Sequence, residues 1–277
     1  MAHRVLSIVF SLSLFSCAQE PPALIELYAF DCGVLRLGSV ADFSISDDET
    51  DIRDLAVPCY MVVHEQGTLL WDGGLSSVRA EVDGWQDLGE GYYERLDHTL
   101  AEQLADLGRT IDTFDFVAFS HMHYDHVGVA NELEGATLLI QEPEYEAAFA
   151  EEISIPAFDR SVYEGLADLE RVLLQGDHDV FGDGRVRIIS APGHTPGHQV
   201  LFVDLENEGP IVLSGDLYHF QLSRELRRVP GFNWDEAKTL ESFDLVEALI
   251  RDTGAQLWIE HDLAGFRERR LAPDFYN

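Results

Sequence analysis

The sequence predicts an α/β (α+β) chain in which helices pack on β-sheet layers, and three observations carry that expectation. Short apolar, β-prone runs alternate with helix signals along most of its length. Cys59 to His64 and Thr68 to Trp71 flank Glu65-Gln66-Gly67, the mark of a hairpin. Several runs end in loops that carry histidine and aspartate, the densest being Ser120-His121-Met122-His123-Tyr124-Asp125-His126 after the apolar Phe116 to Phe119. A loop of that kind, held by a rigid sheet edge, grips a cation without distorting the core.

The 277 residues are ample for a substantial core, and nothing in them is low-complexity. Acidic residues outnumber basic ones 51 to 18, giving a formal net charge of −33, and Lys238 is the one lysine. Such a surface repels nucleic acid and anionic membrane, and disfavours strongly anionic substrates. Adaptation of the whole surface to salt, where screening relieves self-repulsion, accounts for the charge better than a function does.

Residues 1–20 read as an export signal: His3 and Arg4, then the apolar run Val5 to Phe15, then Ser16-Cys17-Ala18. Leu14-Phe15-Ser16-Cys17 resembles a bacterial lipobox, although Phe15 stands where a small residue is usual. The expectation is an exported protein, periplasmic or held at the membrane as a lipoprotein through an acylated Cys17. Residues 21–277 then form one domain. Only Cys32 and Cys59 remain in it, and two isolated cysteines at strand-like positions are expected as small buried hydrophobes more than as a disulfide.

Along that domain, Leu24 to Phe30 reads as a first strand and Asp31-Cys32-Gly33 as a turn, followed by an acidic loop from Ile45 to Arg53. Asp72-Gly73-Gly74 closes the hairpin; Asp72 is a turn residue or a support for a metal ligand. Residues 75–96 show no periodicity and are expected as a long loop near a substrate mouth. Thr99 and Glu102 have capping-box spacing, with Leu100, Leu104 and Leu107 on one helical face before Gly108. A helix is expected to begin over Val127 to Leu133, with Asp125 near its N-terminus. Thr137 to Ile140 is a strand, Glu142 to Glu152 a helix, and Phe158 to Leu169 is unassigned. Four strands follow at 171–174, 186–190, 200–203 and 211–213, with a hairpin turn at Phe181-Gly182-Asp183-Gly184. Leu240, Phe243, Val246 and Ile250 put a helix over Trp234 to Arg251, and Leu257 to Glu260 is a last strand ending at His261.

Four strand-end groups now stand out: His121-x-His123-x-Asp125-His126, His194 in Ala191-Pro192-Gly193-His194-Thr195-Pro196-Gly197-His198, Asp216 in Ser214-Gly215-Asp216, and His261. Five imidazoles and two carboxylates suit zinc, with iron, manganese or cobalt as alternatives. They are too many for one tetrahedral ion and enough for two ions about 3.5–4 Å apart that share a carboxylate and a water. His198 and His219 are expected in structural or supporting roles.

These motifs, in this order, resemble the metallo-β-lactamase superfamily over essentially the whole domain. The resemblance implies a four-layer αββα sandwich with a dinuclear site at one edge. It further implies that His121, His123 and His194 hold the first metal, that Asp125, His126 and His261 hold the second, and that Asp216 bridges. Asp31-Cys32-Gly33, Val57-Pro58-Cys59-Tyr60, Leu70 to Gly74, Ser214 to Phe220 and Arg228 to Asp235 are most similar to bacterial N-acyl homoserine lactonases of this fold. In the better-known lactonases a tyrosine stands three residues after the bridging aspartate; here that position is His219, and Tyr218 lies one residue earlier. The expected activity is hydrolysis of a neutral lactone with an acyl tail by a bridging hydroxide, with Asp125 ferrying a proton and Tyr218 steadying the oxyanion. A glyoxalase II-like thioesterase is the alternative, followed by a β-lactamase or an iron-dependent persulfide dioxygenase. The scarcity of basic residues outside Arg224, Arg227 and Arg228 disfavours a glutathione thioester.

Overall fold

The computed structural model describes residues 24–277. The predicted export signal, Cys17 included, lies outside the described residues. In chain order the first half comprises β1 (Glu26–Leu37), β2 (Asp54–His64), β3 (Gly67–Trp71), β4 (Gln86–Gly89), β5 (Tyr92–Arg95), α1 (Leu100–Asp106) and β6 (Phe116–Ala118). Next come β7 (Thr137–Gln141), α2 (Glu142–Ala148), α3 (Arg160–Tyr163), β8 (Glu170–Leu174), β9 (His178–Asp179), β10 (Val186–Ser190) and β11 (Gln199–Leu205). The chain ends with β12 (Gly209–Leu213), α4 (Gln221–Leu226), α5 (Glu236–Thr253), β13 (Gln256–Trp258) and α6 (Leu263–Phe266).

An eight-stranded sheet runs β4-β5-β1-β2-β3-β6-β7-β8, and a five-stranded sheet runs β13-β12-β11-β10-β9. Strand β2 shows why they stack. Its near-continuous apolar run puts Tyr60 and Val62 on one face, packed with Trp71, Ile188, Leu201 and Leu213 between the sheets. Cys59 and Met61 point the other way, into a core shared with Leu104 of α1 and Tyr163 of α3. Period-2 alternation with both faces apolar forces cover on both sides. On the second sheet, Val200, Phe202 and Val212 pack against Phe243 and Val246 of α5. The layers are therefore helix, sheet, sheet, helix, as the resemblance implies.

The α1 capping box forms as expected: Glu102 N–H donates to Thr99 Oγ1 at 3.1 Å, and Thr99 N–H donates to Glu102 Oε2 at 2.9 Å. Helix α5 takes its N-cap from Asp235, which accepts from Lys238 N–H at 3.0 Å, and stops at Gly254 in the left-handed region.

Four expectations are corrected. The Asp31-Cys32-Gly33 turn is a bulge inside β1, where the register with β2 shifts and Gly33 takes φ +135°. That shift brings the Cα atoms of Cys32 and Cys59 to 5.8 Å, and the two are disulfide-bonded; pairing register is invisible to spacing alone. The stretch 75–96 is not one loop: β4 and β5 form a hairpin turning on Gly89, Glu90 and Gly91, all with positive φ, and β5 pairs with β1. The helix expected over Val127 to Leu133 reduces to one 3-10 turn at Ala130–Glu132. Gly128 explains it, since a Cβ there would lie 2.2 Å from the Leu75 carbonyl carbon; the chain must pass flat against that backbone. Asp125 consequently has no helix N-terminus to stabilise it.

Candidate metal centre

The site lies where both sheets end. Strand β3 delivers Asp72, whose Oδ1 accepts Ser120 N–H at 2.6 Å and whose Oδ2 lies 3.0 Å from His126 Nδ1. Gly73 N–H donates to the His126 carbonyl at 2.6 Å. Of the two roles open to Asp72, support of the histidine loop is therefore the observed one. Strand β6 delivers Ser120 to His126, the β10–β11 connection delivers His194, the 3-10 turn after β12 delivers Asp216, and β13 leads to His261.

All seven sequence-predicted ligand residues converge there. The ligand atoms of His121, His123, His194 and Asp216 lie within 4.8 Å of one another, as do those of Asp125, His126 and His261. Asp216 divides the two sets. Its Oδ2 is 3.5 Å from His121 Nε2 and 3.3 Å from His194 Nε2; its Oδ1 is 3.2 Å from His126 Nε2 and 2.9 Å from His261 Nε2. Asp125 Oδ2 approaches His261 Nε2 at 3.7 Å and His126 Nε2 at 3.8 Å. His123 Nδ1 and His194 Nε2 are 3.2 Å apart.

The outer nitrogens of His194 and His261 are bound in turn, which fixes those rings. His194 Nδ1 is 3.1 Å from Asn233 Oδ1, and His261 Nδ1–H donates to the Ala56 carbonyl at 2.7 Å. His198 Nε2 accepts Asp216 N–H at 3.0 Å while its Nδ1 lies 3.1 Å from the Ala191 carbonyl, so it positions the Asp216 backbone, the supporting role expected of it.

Burial and neighbouring imidazoles hold His121 and His123 well below the usual histidine range, so their rings are neutral and free to ligate. Burial also opposes charge on His126 and His261, but Asp216 and Asp125 outweigh it and raise both. Burial likewise opposes charge on Asp216, yet His261, His219, His126 and His121 hold its carboxyl well below the usual range. His121 Nε2, His126 Nε2 and Asp216 Oδ1 are buried with no hydrogen-bond partner among the described residues. Orphaned buried atoms are costly, and here they face one another at distances a cation would fill. The residues present fit a metal.

Above this floor is a cavity of about 190 Å³, walled by Leu35, Leu37, Phe43, Leu55, Tyr92 and Phe232, with His123, Asp125, Asp216, His219 and His261 at its base. A smaller cavity of about 150 Å³, containing Arg79 and Glu94, shares Tyr124 and Ala157 with it. Tyr218 does not line either cavity, contrary to expectation. Its hydroxyl donates to Glu247 Oε1 at 3.1 Å and its ring packs on Phe243 of α5. His219 occupies the cavity side instead, with Nε2 3.1 Å from Asp216 Oδ2. The sequence motifs predict a supporting role for His219 and mark neither Phe43 nor Tyr124 as a cavity residue; Phe232 falls within a stretch of resemblance that gives it no role in the wall.

The sequence model of the metallo-beta-lactamase superfamily matches residues 52–253, and the chain belongs to that superfamily. Among curated relatives it is similar to the N-acyl homoserine lactonase AttM of Rhizobium johnstonii, at 28% identity over 263 residues, covering 91% of this chain and 99% of that one. It is 25% identical over 230 residues to the N-acyl homoserine lactonase AiiA of Bacillus thuringiensis subsp. kurstaki, covering 81% and 88%. Among solved structures, an N-acyl homoserine lactone hydrolase with N-hexanoyl-L-homoserine at its catalytic metal centre superposes with a TM-score of 0.76 at 23% identity, over 91% of this chain and 99% of that one. The dizinc lactonase AidC superposes at 0.64 with 17% identity, over 92% and 95%. At those identities the superpositions establish the shared fold.

Proposed function

We propose that the protein is a metal-dependent hydrolase that opens the lactone ring of N-acyl homoserine lactones, a quorum-quenching activity. The observation that carries this reading is the Asp216 carboxylate, one oxygen turned to each histidine set, at the base of an apolar cavity. Two relatives matched over most of their length are named as N-acyl homoserine lactonases. His121, His123 and His194 would hold one divalent cation and Asp125, His126 and His261 the other, with Asp216 between and zinc the first candidate. Bound there, the cations supply a nucleophile at neutral pH and an electrophile for the carbonyl.

The chain's own groups supply the rest. Leu35, Leu37, Phe43 and Phe232 offer the acyl tail an apolar wall that excludes water. Asp125 borders the cavity, placed to take the proton of the attacking water and return it to the departing ring oxygen. His219, beside Asp216 at the cavity base, is placed to orient the ring ester. Among the described residues no Lys or Arg lines this cavity, so the carboxylates of a glutathione thioester would find no partner. The neutral lactone meets no such penalty, and its ring-opened carboxylate product is repelled by the acidic surface.

We propose further that the protein is exported, with residues 1–20 as leader and Cys17 as the candidate lipid anchor. The Cys32–Cys59 disulfide supports an oxidising compartment. No helix among the described residues is long and apolar enough to cross a membrane. The activity is tested by pH-stat hydrolysis with the metal-loaded protein, offering lactones of graded tail length, an aryl ester, a glutathione thioester and a β-lactam. Lactone turnover is expected; turnover of the thioester or β-lactam alone would overturn the proposal.

A further inference from the structure

Two loops that meet at the centre come from different sheets. His121 and His123 follow β6 of the eight-stranded sheet, whereas His194 lies between β10 and β11 of the five-stranded sheet. Yet His123 Nδ1 and His194 Nε2 approach to 3.2 Å. No strand ladder joins β6 to β10 or β11, so other contacts must set that distance.

The side chain of Glu144 spans the gap. It lies in the first turn of α2, only 1% exposed, and forms no ion pair with Lys or Arg among the described residues. Its Oε1 accepts Met122 N–H at 2.9 Å, from the residue between His121 and His123. Its Oε2 accepts Gly197 N–H at 2.7 Å, three residues beyond His194. The approach is close: a Cβ at Gly197 would lie 2.6 Å from Glu144 Cβ and 2.7 Å from its backbone nitrogen. Burial pushes the Glu144 carboxyl up to about 7, the cost of a buried carboxyl without a cation, and the backbone N–H groups of Gly197 and Met122, one on each oxygen, counter that cost in part.

We infer that Glu144 is a positioning residue for the metal centre, a carboxylate clasp that holds the His121–His123 loop and the His194 loop at the separation one shared cation requires. Only a carboxylate does this without conflict. An amide of nearly the same volume offers one acceptor and one NH₂ donor, so Glu144→Gln sets a donor against either Met122 N–H or Gly197 N–H. Glu144 lines neither cavity near the centre, so its effect reaches the chemistry through the histidines.

The inference rests on the centre binding metal, and cobalt titration of the full-length, metal-free protein separates the two questions. Cobalt affinity is measured against a competing chelator, and the visible absorption reports ligand geometry. Glu144→Gln is expected to weaken cobalt binding by about 10- to 100-fold and to alter the spectrum, with the metal-free melting temperature little changed. Glu144→Asp keeps two acceptors at shorter reach and is expected to recover part of the loss. Equal affinity and spectrum in wild type and Glu144→Gln would overturn the clasp, as would a fall in melting temperature with cobalt binding intact. Should Glu144→Gln fail to fold, Glu144→Asp carries the same comparison: unchanged affinity and spectrum there would overturn it too. Wild-type protein that takes up no cobalt would remove the metal reading beneath it.

Discussion

The floor of the site and the wall of its cavity are held by different physics. On the floor, polar contacts anchor the rings: Asp72 behind His126, Asn233 behind His194, the Ala56 carbonyl behind His261 and His198 behind the Asp216 backbone. In the wall, Phe43 meets Phe220 and Phe232 edge-on at ring separations of 5.1 and 5.4 Å, and His219 at the base at 4.9 Å, contacts made by ring packing without a hydrogen bond. Hydrogen bonds fix position to tenths of an ångström; apolar packing fixes volume. Changes to the floor should therefore abolish chemistry, and changes to the wall should redistribute substrates.

The largest expected effect is at the floor itself. His121→Ala or Asp216→Asn should lower lactone hydrolysis by on the order of 10³-fold or more, since metal-ion stabilisation is worth several kcal/mol and each 1.36 kcal/mol is tenfold. Metal content measured on the same samples should fall with it. Activity retained at full metal content would refute the site.

One step behind the floor, Asp72→Asn keeps the shape but weakens the acceptor that orients His126. Metal affinity is expected to fall about 10- to 100-fold, read by chelator competition. If Asp72 were only a turn residue, affinity would not move and only the melting temperature would.

At the wall, Phe232→Ala should raise KM for a long-tailed lactone by about tenfold, the worth of one to two buried methylenes, with kcat within about twofold. A lactone with a minimal tail should be hardly affected. A uniform fall in kcat across tail lengths would place Phe232 with the floor and break the distinction between floor and wall.

The same division decides what could be read from the sequence. The floor residues were legible because each sits in a local motif at the end of an apolar run, and a strand end carries its loop wherever the sheet goes. Phe43, Tyr124 and the β4–β5 hairpin were not. Phe43 meets Phe220 and Phe232 only through long-range packing, and the hairpin's glycines and Glu90 interrupt the alternation that marks a strand. The helix expected after Asp125 failed at Gly128, whose contact with the backbone at 74–76 leaves no local trace. The disulfide depended on a register shift within β1, which spacing does not encode.

Tyr218 is the sharpest case, since sequence placed it on the floor and the structure removes it from the cavity altogether. After the 3-10 turn at Gly215–Leu217 the chain is extended at Tyr218, with φ −131° and ψ 127°. Successive side chains of an extended segment point to opposite sides, so with His219 directed at Asp216, Tyr218 is directed at α5. Its contact with Glu247, itself paired to Arg224 at 2.6 Å, is structural. Tyr218→Phe should leave kcat and KM for lactones within about twofold while lowering unfolding free energy by about 1 kcal/mol, the net worth of one hydrogen bond. Steady-state kinetics beside denaturant unfolding reads both. A tenfold fall in kcat at unchanged stability would return the phenol to the chemistry, and would mean that the segment after Asp216 turns over when substrate binds.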